Sequence, residues 1–192
     1  MHAHVQERWL NNRLSRTTDL DMIRYLLSRG ADPNANANYA LNAFELAAFR
    51  GHLLIVKELL DAGAQLETRT ALTNAAHQGH LDVVTYLLDH GAAIDEIPHN
   101  ADMDEDDRVD FKTALCEAAD NGQSAVVELL LRRGANPEIK DMETGRSALE
   151  LATLRGISKS DEFSRNPPSR DYDGCIAILQ GVQAELDVMD AE

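Results

Sequence analysis

Six acidic side chains crowd one stretch of this chain: Asp102, Asp104, Glu105, Asp106, Asp107 and Asp110. Carboxylates at alternate positions can converge on a hard cation such as calcium, but this spacing does not complete the loop. Position six, which needs a glycine for the turn, is Asp107, and position twelve, which needs a bidentate glutamate, is Thr113. His77 and His80 stand three residues apart, one helical turn, with no further ligand at a spacing that closes a zinc site. The two cysteines, Cys116 and Cys175, belong to no motif that supplies a general base, and they read as small buried apolar residues. A Gly-rich phosphate loop, a nucleophile elbow and a Cys-x-x-Cys pair are all missing. The sequence therefore predicts no catalytic residue, no metal and no cofactor.

The elements that position these side chains repeat along the chain. Leu-Leu, two variable residues and Gly-Ala recur at Leu26 to Ala31, Leu59 to Ala64, Leu87 to Ala92 and Leu130 to Ala135. Upstream, Ala-Ala-x-x-Gly recurs at Ala47 to Gly51, Ala75 to Gly79 and Ala118 to Gly122, always 12 residues before the Gly of Gly-Ala. The interior of each unit is thus constant, whereas the spacing between Gly-Ala pairs runs 33, 28 and 43 residues, so the variation sits in the connections. Each unit reads as an alanine-rich first helix that a neighbour can approach closely, and a bulkier second helix. In the unit of Thr70 to Gly91, Val83, Val84, Leu87 and Leu88 of the second helix share one apolar face. A single pair cannot bury that face, and stacking of at least about three pairs can. The glycines after both helices fit left-handed caps.

The phrases Ala47-Ala48-Phe49-Arg50-Gly51-His52-Leu53, Ala75-Ala76-His77-Gln78-Gly79-His80-Leu81 and Gly30-Ala31-Asp32-Pro33-Asn34 resemble the ankyrin repeat over roughly residues 10 to 182. The resemblance implies an all-α solenoid of stacked helix-turn-helix units with hairpin-like fingers, and a structural role for His52 and His80 at the Gly-His position. The family's Thr-Pro-Leu-His is replaced by Asn42-Ala43-Phe44-Glu45, Thr70-Ala71-Leu72-Thr73, Thr113-Ala114-Leu115-Cys116 and Ser147-Ala148-Leu149-Glu150. Loss of the proline pre-set for a helix start predicts a solenoid less stable than a consensus one.

The expected organisation is one domain, 1–182, of about five units. They are an N-terminal capping unit 1–34, then 35–67, 68–95, 96–140 with the acidic insertion 96–111, and a C-terminal capping unit 141–182 with a second insertion 157–171. An acidic tail, 183–192, is expected to fray. Trp9, Leu10 and Leu14 are expected on one face of a first helix, with Trp9 in the core of the cap, and Asp19 is expected to cap the second helix. The connection after Gly63 is five residues shorter than in a 33-residue repeat and the one after Gly91 ten longer, so a notch should adjoin an acidic arm.

A net charge of −15 and a pI near 4.7 argue against nucleic acid and anionic membranes as direct partners and favour a basic protein. No signal-peptide pattern opens the chain, and a cytosolic protein is expected. The resemblance implies a non-enzymatic protein-binding module that uses its concave face. The exposed, variable positions transfer to Tyr39, Leu41, Phe49 and Arg50; to Arg69, His77 and Gln78; to Asp110, Lys112, Asp120 and Asn121; and to Arg146, Leu154 and Arg155, with the acidic arm gripping a basic target. A sharper form is an immunity or inhibitor protein that neutralises a basic toxin. The competing class is a small-molecule-binding or catalytic protein with a pocket at His77, Cys116 and Glu117.

Overall fold

The computed structural model describes residues 2–35, 41–66, 70–97, 112–160 and 170–189. Tyr39, Arg69, the acidic residues Asp102 to Asp110 and most of the second insertion lie outside these residues. Ten helices are described, in pairs: α1 (His2–Leu14) and α2 (Leu20–Ser28), α3 (Ala43–Phe49) and α4 (Leu53–Asp61), α5 (Ala71–Gln78) and α6 (Leu81–Asp89), α7 (Ala114–Asp120) and α8 (Ser124–Arg132), α9 (Ala148–Ser160) and α10 (Tyr172–Met189). No strand occurs among the described residues.

Side-chain caps stand one residue before the positions of the missing prolines, at the starts of the first helices. Asn42 accepts from the Glu45 N–H at 2.8 Å while Glu45 accepts from the Asn42 N–H at 3.0 Å. Ser147 and Glu150 repeat the reciprocal arrangement at the start of α9, and Thr113 accepts from the Cys116 N–H at α7. Such caps contribute about 1 kcal/mol each to the helix starts. Thr70 makes no capping bond and instead donates to Glu45 of the preceding unit. Asp19 caps α2, as its position predicts.

The first helices α3, α5, α7 and α9 pack on one another in sequence, and the second helices α2, α4, α6, α8 and α10 form a parallel row. The core runs unbroken between the rows. Ala48, Ala75, Ala76, Ala118, Ala119 and Ala152 are fully buried, as are Val56, Leu59, Val83, Val84, Leu87, Val127 and Leu130. Each large aliphatic side chain so buried contributes roughly 1.5–3 kcal/mol.

One stitch recurs between units in three chemically different forms. The His80 Nε2 lies 3.1 Å from the Phe49 carbonyl, Gln123 Nε2 donates to the His77 carbonyl at 3.3 Å, and the Tyr172 hydroxyl donates to the Asp120 carbonyl at 3.3 Å. Each acceptor stands two residues before the glycine that ends its first helix. The side chains fit because that glycine has no β-carbon: one built at Gly51 would lie 2.5 Å from the His80 ring, and one at Gly79 2.2 Å from Gln123. Both glycines also have positive φ, +71° and +81°, so their identity is required twice. The last stitch explains how the fifth unit tolerates an insertion, since the returning chain is pinned by the Asp171 N–H to the Gly122 carbonyl and by Tyr172. A second stitch joins the turns. Asn34 accepts from the Gln65 N–H and Asp95 accepts from the Asn136 N–H, at 2.8 and 3.0 Å.

Three expectations are corrected. Trp9 is not cap core but 60 % exposed; Leu10 and Leu14, one turn apart, occupy the buried face of α1, and Trp9 sits about 100° round the helix from Leu10. α9 does not stop at Gly156 but runs to Ser160, into the second insertion. The tail expected to fray over 183–192 is helical as far as Met189, where α10 ends.

Candidate functional site

The first-helix row presents Phe49, Arg50, His77 and Gln78 side by side at the ends of α3 and α5. Their positions follow from the local sequence: each pair directly precedes the left-handed glycine, and the inter-unit stitch holds the carbonyls of Phe49 and His77. Phe49 is 36 % exposed and stacks on the His77 ring, with centroids 6.5 Å apart and planes inclined by 29°. Arg50 and Gln78 are exposed, and neither has an ion-pair or hydrogen-bond partner for its side chain among the described residues. An aromatic face, a guanidinium and an amide therefore lie open together.

The next unit is different. Lys112 and Asp120, expected to be exposed, are 8 % and 7 % exposed, and Asn121 is 7 %. Lys112 Nζ donates to Asp120 Oδ2 at 2.8 Å, and Arg155 from α9 donates through Nε to Asp120 Oδ1 at 2.6 Å and through Nη2 to Oδ2 at 3.2 Å. Burial pushes the Asp120 carboxyl up, but the bonds from Arg155 and Lys112 outweigh it and hold the group below the ordinary carboxylate range. Burial likewise works against the Lys112 ammonium, and the bond to Asp120 keeps its pKa above the usual value. His77 Nδ1 lies 2.8 Å from Glu117 Oε2 and 3.0 Å from Asn121 Nδ2, and Asn121 also donates to the Glu117 carbonyl at 3.0 Å. The C-terminal half of the surface spends its polar groups on itself.

Of the remaining predicted residues, Leu41 and Arg146 are half-buried, while Leu154 is 43 % exposed on α9. Tyr39, Arg69, Asp102, Asp104, Glu105, Asp106, Asp107 and Asp110 lie outside the described residues. His77 and Glu117 do meet, but Cys116 is 1 % exposed, faces the Ile139 carbonyl and has its thiol pushed by burial up to about 11. A thiol in that state supplies no thiolate near neutrality. Sequence reasoning missed a shallow groove of about 630 Å³ on the second-helix row, lined by Leu53, His80, Leu81, Thr85 and Tyr86. Its only signal was Leu81, an apolar residue at the first position of α6 and 42 % exposed.

A family profile described as ankyrin repeats, three copies, matches residues 13–98, and a profile of the single ankyrin repeat matches residues 110–142. The chain is an ankyrin-repeat protein. Ankyrin repeats as a class mediate contacts between proteins, and the stacked helix pairs above are the architecture of that class. The chain is also similar to the B-cell lymphoma 3 protein homolog of Mus musculus, 33 % identical over 141 residues, which is 73 % of this chain and 31 % of the relative. It thus spans about a third of that protein's length. No helix among the described residues is long and apolar enough to cross a membrane.

Proposed function

We propose that this ankyrin-repeat protein is a non-enzymatic interaction module that binds a partner protein through the open half of its concave face, centred on Phe49, Arg50, His77 and Gln78. The observation that carries the reading is the contrast between adjacent units. At α3 and α5 an aromatic stacked on His77 stays exposed and a guanidinium and an amide have no side-chain partner among the described residues, whereas at α7 the equivalent positions are taken up by the Lys112, Asp120 and Arg155 network. Aromatic and arginine side chains supply about 2 kcal/mol or more each when a partner buries them. Tyr39 and Arg69 extend this surface in sequence, and the acidic residues Asp102 to Asp110, with a net charge of −15, favour a partner with a basic segment.

The test is affinity purification from the native cell with the full chain, with Phe49→Ala, and with residues 100–108 deleted. The reading expects one co-purifying protein to be lost with Phe49→Ala and weakened, increasingly at low salt, by the deletion. Unaltered capture by both variants would overturn this surface.

A further inference from the structure

The two ends of the helix row carry opposite charge, and each exposes an apolar side chain. At the first end, Trp9 is 60 % exposed on α1, and Arg8, Arg13 and Arg16 stand exposed around it. None of the three guanidiniums has an ion-pair partner among the described residues. Residues 1–34 hold five arginines against four carboxylates, in a chain that is otherwise strongly acidic. At the other end, residues 171–192 hold six carboxylates and no lysine or arginine. The exposed side of α10 carries Asp173, Glu185 and, 63 % exposed, Val188, and neither Asp173 nor Glu185 is ion-paired among the described residues.

We propose that copies of this chain associate end to end, the arginine-flanked Trp9 face of α1 in one copy seated on the acidic, C-terminal part of α10 in the next. Charge complementarity selects a second copy as the occupant. With a net charge of −15 over the chain, contacts between copies generally bring like charge together, whereas these two ends offer opposite signs. The contact is head to tail, so each copy keeps one free end of each kind and assembly grows with concentration instead of stopping at a symmetric dimer. Trp9 supplies the buried centre and the arginines its charged rim.

Sedimentation equilibrium of the full chain over a wide concentration range tests this at roughly 50 mM and at roughly 500 mM salt, where screening lengths differ about threefold. Association that rises with concentration and falls with salt is expected, weakened about tenfold by Trp9→Ala. Two charge-reversed variants, R13E/R16E and E185K/D187K, should each be monomeric, and their equimolar mixture should associate again, because complementary ends are restored. Circular dichroism of each variant confirms that it is folded. A full chain that stays monomeric throughout overturns the proposal and leaves the Trp9 face to a different occupant. Association that both variants retain, or that their mixture fails to restore, overturns it equally.

Discussion

At Asp120 a single carboxylate takes hydrogen bonds from Lys112, which precedes α7, and from Arg155 in α9, and all three groups gain their geometry from α7 lying between. Removing one member leaves buried charge without a partner, so Asp120→Ala should cost about 3 kcal/mol in urea unfolding. The pH dependence has a definite sign. The folded carboxyl titrates below the ~3.9 of an unfolded aspartate, so its contribution is fully present above that value and is lost as pH falls through the folded pKa. Melting temperatures of the wild type and Asp120→Asn should therefore converge below about pH 4; a gap that widens there would contradict the assignment. Cys116 and Cys175 give a second prediction. Both are buried, with thiols pushed up to about 11 and about 12, and the native protein should react with thiol reagents only after unfolding. The burial of Lys112, Asp120 and Asn121 was not legible in the sequence, because the partner that covers Asp120 lies 35 residues away and no local spacing announces it.

Between elements, the His80, Gln123 and Tyr172 bonds to the preceding unit show one geometric requirement met by an imidazole, an amide and a phenol. The glycines that make room for them were visible in the sequence, and so were the helix pairs, since apolar periodicity and a fixed Gly-to-Gly distance report local geometry directly. What escaped was the identity of the stitching residue at Gln123 and Tyr172, for which any donor of suitable reach serves. Tyr172→Phe should cost about 1 kcal/mol through the lost hydroxyl bond, read as earlier unfolding of α9 and α10 by hydrogen exchange. Gly79→Ala should cost more, because the added β-carbon meets Gln123 and the backbone is left-handed. Trp9 and the last turns of α10 were misread for a related reason. At the ends of a stack no neighbouring unit covers the helix, and an apolar side chain there carries no periodic sign of whether it faces in or out.

Over the whole molecule, a continuous core between two helix rows leaves Phe49, Arg50 and Gln78 exposed at the ends of α3 and α5. The chain matches about a third of its curated relative, so the comparison supports the repeat architecture, and recognition has to be argued from this chain's own side chains. The most direct measurement is the affinity of the purified partner for the wild type and for Phe49→Ala, by calorimetry at constant salt. At least about tenfold weaker binding is predicted, with urea stability of the variant close to that of the wild type. Equal affinity for the two proteins would contradict the account.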